Sequence, residues 1–345
     1  MVGISSYCKD LDYQYLGDAA KIGAKYIFTS LHIPEEDLSK LDEMLPKFQQ
    51  TCLDLGLQLV PDISPATFEK LGVEENDYAA LKEKGFEVLR LDYGFDDCDV
   101  IKSLLKDFKL VLNASVVDED YILEAKANGV DFTNISVMHN FYPKTETGLS
   151  LDYFNNRNAS FIKHDIPIMA FVPGDKLKRF PLYEGLPTVE KHRQVNPYVA
   201  AVELIHDCKI RDILIGDSIA HVETLKYIQA YMTDHTMHIP VHFKKEYRNM
   251  YDEVYNVRKD LSENVIRMAT PRIPNIDITD NNVRPRGSIT IENALSGRYS
   301  GEIQITKKDF SMDARTNVIG FIHPDFVSLV DYIDRNTKIQ FVPID

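Results

Sequence analysis

Residues Gly3–Gly23 read GISSYCKDLDYQYLGDAAKIG. A short apolar run ends in the polar pair Ser5 and Tyr7. Leu11, Tyr15, Leu16, Ala19, Ala20 and Ile22 then recur at helical spacing, and Gly23 follows as a C-terminal cap. This is one strand followed by one helix, and the plan repeats. Runs rich in β-branched or aromatic residues begin near Gly3, Tyr26, Leu57, Glu87, Lys109, Phe132, Ile166 and Asp212. Helix-like stretches such as Asp118–Ala127, Asn196–Cys208 and His221–Tyr231 lie between or after them. Eight such units within about 235 residues predict an α/β fold, a (β/α)8 TIM barrel. A doubly wound sheet would want fewer units and a glycine fingerprint that is absent.

After Thr236 the texture changes. Strand-like alternation marks His238–Phe243, Ser288–Glu292, Glu302–Thr306, Asn317–Ile322 and Lys338–Val342, interrupted by one helical stretch over Asp325–Asp334. The expected division is a catalytic barrel over residues 1–236 and a mostly-β domain over 237–345, built as a small barrel or sandwich.

The 345 residues are 44% hydrophobic and 27% charged, an ordinary globular composition. The net charge of −14 argues against nucleic-acid or anionic-membrane partners. The first residues have neither the apolar region nor the charged lead of a signal peptide, and no apolar run is long enough to span a membrane, so a cytoplasmic protein is expected. Cys8, Cys52, Cys98 and Cys208 form no C-x-x-C pair and read as structural thiols.

In a TIM barrel the reactive groups gather where strands end. Here the ends carry Ser5 and Tyr7, Thr29 and His32, Asp62, Asp92, Asn113, His139 and Asn140, Asp175, and Asp217. Any one of these could cap a helix or shape a loop; their convergence points to an enzyme. In Val88-Leu89-Arg90-Leu91-Asp92-Tyr93 the period of two puts Arg90 and Asp92 on one side, facing the barrel interior if Leu89 and Leu91 face the helices. Such a carboxylate serves as nucleophile, base or electrostatic stabiliser, or else completes a buried ion pair.

The stretch Phe171–Arg193, FVPGDKLKRFPLYEGLPTVEKHR, is far longer than the usual strand-to-helix loop. Lys176, Lys178, Arg179, Lys191 and Arg193 outweigh Asp175, Glu184 and Glu190, a local excess of positive charge suited to phosphate or carboxylate. His139-Asn140-Phe141-Tyr142-Pro143 offers hydrogen bonds to a polyol and aromatic faces for a sugar. His32 and His139 lack a second ligand at helical spacing, so no metal and no cofactor is expected. P-loop, G-x-S-x-G and G-x-G-x-x-G motifs are absent.

Three stretches carry a resemblance: HNFYPKTETGLSLDYF (His139–Phe154), PLYEGLPTVEKHR (Pro181–Arg193) and RPRGSITIENALSGRYSGEIQI (Arg284–Ile305). Together they resemble the MupG family of bacterial 6-phospho-N-acetylmuramidases, over nearly the whole chain. Phe180 departs from the family pattern, where a small glycine follows the basic residue. The resemblance implies a TIM barrel followed by a cyclophilin-like β domain. It also implies cytoplasmic hydrolysis of a phosphorylated amino-sugar disaccharide, 6-phospho-N-acetylmuramic acid linked to N-acetylglucosamine, in peptidoglycan recycling.

Glycoside hydrolysis normally needs two carboxyl groups. By position these are Asp92 and Glu184, with Asp62 and Asp217 next; an N-acetyl group on the sugar also permits a substrate-assisted route. Asp62, Asn113, His139, Asn140, Tyr142 and Asp217 are expected to bind substrate, with Arg179, Arg193 and Arg286 as phosphate anchors. Arg286-Gly287-Ser288 and Arg298-Tyr299 suggest that the β domain completes the site. Competing readings are a phosphosugar isomerase or aldolase on the same barrel, and a non-enzymatic sugar-binding protein.

Overall fold

The computed structural model describes residues 1–31, 41–74, 76–95 and 97–344; His32 lies outside the described residues. The chain divides into two compact units, Met1–Gln229 and Ala230–Asp345.

The first unit is a closed barrel of eight parallel strands in sequence order: β1 (Val2–Ser5), β2 (Tyr26–Ser30), β3 (Gln58–Ile63), β4 (Val88–Leu91), β5 (Lys109–Asn113), β6 (Ile135–Met138), β7 (Ile168–Val172) and β8 (Asp212–Ile215). β8 pairs back onto β1, Val2 with Ile213 and Gly3 with Leu214. The first helix, Tyr13–Ile22, starts at Asp12, whose carboxylate accepts from the Gln14 and Tyr15 amides, and ends at Gly23 with φ of 100°. Helices Glu119–Ala127 and Pro197–His206 are likewise capped by Asp118 and Asn196. Phe132–Asn134 is a 3-10 turn, so the sixth strand starts at Ile135, three residues after the predicted point.

Val60, Val88, Val111, Met138, Met169, Phe171 and Leu214 belong to a single buried cluster with Phe28 and Tyr7. Two residues further along β3, β4 and β5, on the same face, stand Asp62, Arg90 and Asn113. The inner row of side chains thus changes from aliphatic to charged and polar at the C-terminal ends of the strands. Cys52 and Cys208 are buried, and burial pushes both thiols up to about 12, far from a reactive thiolate. No described helix is long and apolar enough to cross a membrane.

The second unit is a mostly-β half-barrel. Its strands are β9 (Thr236–Phe243), β10 (Val254–Asn256), β11 (Val265–Arg267), β12 (Ser288–Glu292), β13 (Ile303–Thr306), β14 (Thr316–Ile322) and β15 (Lys338–Pro343). They form one sheet in the order β10-β15-β9-β14-β12-β13-β11, antiparallel except where β15 runs parallel to β9. Met237, Ile239, Val241 and Phe243 of β9 are buried, and Phe243 meets Phe341 edge to face at 5.2 Å. The predicted helix over 325–334 is instead a run of 3-10 turns, Pro324–Tyr332. Turns of three residues bury Leu329 and Val330 just as a helix would, so the apolar spacing did not separate the two.

Candidate active site

A cleft of about 270 Å³ opens at the C-terminal mouth of the barrel. Its polar lining is Asp62, Arg90, Asp92, Asn140, Tyr142 and Arg179, and its apolar wall is Phe28, Phe141, Phe171 and Pro143. The three phenylalanines meet edge to face with centroids 5.1 to 5.7 Å apart. Such a wall holds its shape and offers ring faces to a sugar.

Arg90 is the hub. Its side chain is 3% exposed, its Nη1 donates to Asp62 and, at 3.4 Å, to Asp92 Oδ1, and its Nη2 donates to Asn140. Asn113 donates from Nδ2 to Asp92 Oδ1 at 2.9 Å, while its own carbonyl accepts from the Ser115 amide. Two carboxylates from neighbouring strands therefore share one buried cation at the cleft floor. A buried ion pair of this kind is costly to assemble, which makes stability a weak account of its presence.

Arg179 approaches from the long loop after β7. It is 4% exposed, and its guanidinium lies over the Tyr7 ring at 4.2 Å, with the rings of Phe180 and Phe141 at 5.3 and 5.9 Å. Its Nε and Nη2 are buried and make no hydrogen bond. A buried guanidinium leaves donors unfilled only at a cost, and an anionic ligand would fill them. Phe180 supplies part of the aromatic box around this cation.

Asp217 holds that loop in place. The side chain is fully buried, and its carboxylate accepts the amides of Gly174 at 2.7 Å, Arg179 at 2.8 Å and Leu186 at 3.1 Å. Burial raises its proton affinity, and the three amides pull it back. Next to it, a Cβ on Gly216 would lie 2.3 Å from the Leu186 carbonyl oxygen, so only glycine lets the loop settle on the end of β8.

The remaining predicted residues lie outside the cleft lining. Glu184 accepts from the amide of Thr145 at 2.7 Å and from its hydroxyl, which hold its carboxyl below the usual range and tie together the loops after β6 and β7. Arg193 is buried, bidentate to Glu190, and donates to the carbonyls of Gly185 and Lys144. This contact, with the Glu146 and Gly148 amides, brings Glu190 down to about 2. His139 is fully buried; its Nε2 contacts Asn158 at 2.6 Å and its Nδ1 has no hydrogen-bond partner. Asp175 caps the helix after β8 through His221 N–H and Thr224. Arg286 belongs to the second unit, where it pairs with Asp331 at 2.6 Å. Sequence reasoning passed over Phe28 and Phe171, because aromatic residues inside a strand read as core.

Two family models match in tandem: the N-terminal model of 6-phospho-N-acetylmuramidase over residues 2–230 and its C-terminal model over residues 236–342. A conserved protein of unknown function from Enterococcus faecalis is similar in structure, with a TM-score of 0.86 and 29% identity, over 99% of this chain and 96% of its own. An uncharacterised B. cereus protein follows, with a TM-score of 0.78 and 26% identity over 99% of both chains. No curated protein matches this chain.

Proposed function

Because the chain belongs to the 6-phospho-N-acetylmuramidase family, we propose that it is a glycosidase whose active site is the cleft at the barrel mouth. Its substrate is the disaccharide of 6-phospho-N-acetylmuramic acid and N-acetylglucosamine, and its setting is the cytoplasmic stage of peptidoglycan recycling.

The observation that carries this reading is the pairing of an aspartate couple with a buried, donor-rich Arg179 in one cleft. The anionic sugar seats its 6-phosphate on Arg179, with Asn140 and Tyr142 turned to its hydroxyl groups and the phenylalanine wall against a ring face. The carboxylates then take different roles because their surroundings differ. Asp62, bonded directly to Arg90 and the more buried of the two, faces the positive charge that develops at the anomeric carbon or steers the N-acetyl group toward it. Asp92, 23% exposed at its side chain and at 3.4 Å the more distant of the two from Arg90, is the one that holds a proton and delivers it to the leaving oxygen. Asp217, Glu184 and Arg193 shape the loop that presents Arg179.

The direct test is incubation with the 6-phosphorylated disaccharide and with its unphosphorylated twin, followed by analysis of the sugars released. Cleavage of the phosphorylated form alone is the expected result. Equal turnover of both rejects a phosphate-anchored site, and turnover of neither rejects the glycosidase.

A further inference from the structure

A second hollow adjoins the cleft. It is a shallow groove of about 40 Å³ between the ends of β4 and β5, lined by Asp92, Tyr93, Phe95, Asn113, Val116 and Tyr121, with Leu91 and Leu112 at its base. Leu91 and Leu112 alternate with the inward-facing Arg90 and Asn113, so the groove opens on the barrel rim and not in its interior. Asp92 lines both hollows.

Beside this shared carboxylate two large side chains stand in solvent: Tyr93 is 56% exposed and Val116 54%. Gly94 follows with φ of 83°, and a Cβ there would meet Pro65 at 2.9 Å. The chain direction just after Tyr93 is therefore set by backbone that only glycine supplies. The groove lining contains no cation among the described residues, whereas the cleft contains Arg90 and Arg179. An aromatic ring, an apolar side chain, an amide and a carboxylate suit an uncharged sugar, which offers a C–H face and hydroxyl groups.

We propose that this groove is the subsite for the uncharged leaving sugar, an inference that rests on the glycosidase reading above. The bond to be broken then crosses Asp92, with the anionic sugar in the cleft and the neutral sugar in the groove. The Asp92 proton passes to the bridging oxygen as the bond from the anomeric carbon to that oxygen breaks. Water later supplies a hydroxyl group to the anomeric carbon and returns a proton to Asp92, so the sum is hydrolysis.

The experiment compares two substrates of the whole protein: the phosphorylated disaccharide and the methyl glycoside of the same phosphosugar, whose leaving group is too small to reach the groove. Tyr93→Ala is expected to raise KM for the disaccharide about tenfold, the worth of one ring stacked on a sugar. It should leave kcat/KM for the methyl glycoside within about twofold of normal, as for a contact that this substrate does not make. Val116→Phe, which fills the groove without removing a ring, is expected to discriminate in the same direction. Equal loss on both substrates in both variants, or no loss on either, overturns the groove assignment and leaves the glycosidase standing. Failure of the unaltered protein to cleave either substrate overturns the glycosidase reading, and the groove assignment with it.

Discussion

Asp62 and Arg90 stand opposite each other in register on neighbouring parallel strands, and the guanidinium of Arg90 donates to the Asp62 carboxylate below the cleft. The same nitrogen reaches Asp92, so one buried cation serves two carboxyl groups. Removing that cation with Arg90→Met takes away the positive charge that the two neighbouring carboxyl groups share. Loss of one partner from a buried ion pair costs about 3 to 5 kcal/mol, and the denaturant midpoint should fall accordingly while the m-value stays constant. A stability change below about 1 kcal/mol would show that water compensates these carboxylates.

Asp92→Asn and Glu184→Gln separate chemistry from loop architecture. Asp92 lines the cleft, so Asp92→Asn should lower kcat about a hundredfold or more with little change in Tm. Glu184 is bonded to Thr145 and lies outside the cleft lining. Glu184→Gln keeps an acceptor for those bonds and should leave kcat within about threefold, as for a group that does not enter the transition state. A hundredfold loss in Glu184→Gln with unchanged Tm would return this residue to the chemistry.

Arg179 and Asp217 should fail in the same way. Arg179→Gln removes the charged donors aimed at the anion, each such bond being worth about 1.5 to 3 kcal/mol. KM for the phosphorylated disaccharide should therefore rise at least about tenfold. Arg179→Lys is not expected to rescue it, since an ammonium lacks the planar group that stacks on Tyr7. Asp217→Asn weakens the bonds that hold the Arg179 backbone and should raise KM in parallel. Steady-state kinetics on the phosphorylated disaccharide checks this, and an unchanged KM in these variants would remove Arg179 as the anchor.

His139 gives the protein a pH signature. Burial pushes its imidazole down to about 4, and the Asn158 contact offsets this only in part. In the unfolded chain the ring titrates near its ordinary value of about 6.5. Between those values the unfolded chain binds a proton that the folded protein refuses, so stability is complete above the upper value and falls as pH drops toward the lower one. The total is roughly 3 kcal/mol. His139→Gln retains an acceptor or donor for Asn158 without titrating, and its stability curve should be correspondingly flatter over that window. Identical slopes in chemical denaturation would remove His139 as the source.

The alternation of strand and helix was legible because β-branched runs alternate with stretches at helical spacing, the first of them closed by Gly23. Asp92 and Arg179 were legible by position, one at a strand end and one in an overlong loop. The partners of these residues were not. Which carboxylate meets Arg90 depends on the register between β3 and β4, and Asp62 and Arg90 lie 28 positions apart. Arg193 and Arg179 share one basic loop, yet Glu190 three residues earlier occupies the first, while the second finds aromatic rings from distant segments. Composition counts both as positive charge; only packing decides which one stays available to a ligand.

The bed beneath Arg179 joins the two ends of the barrel. Tyr7, just after β1, donates from its hydroxyl to the Gly216 carbonyl just after β8 at 2.6 Å, and Ser5 donates to Ile215 at 2.7 Å. These contacts span more than two hundred residues and are among the last that the growing barrel can make. Until the ribosome has released residues 215–217, Tyr7 has no seat, Asp217 is not there to gather the loop, and Arg179 has no fixed place. The anion affinity proposed for Arg179 would then be acquired in one step when the ring of strands closes, and a nascent or permuted chain with an open seam would be recognisable by its lack of it.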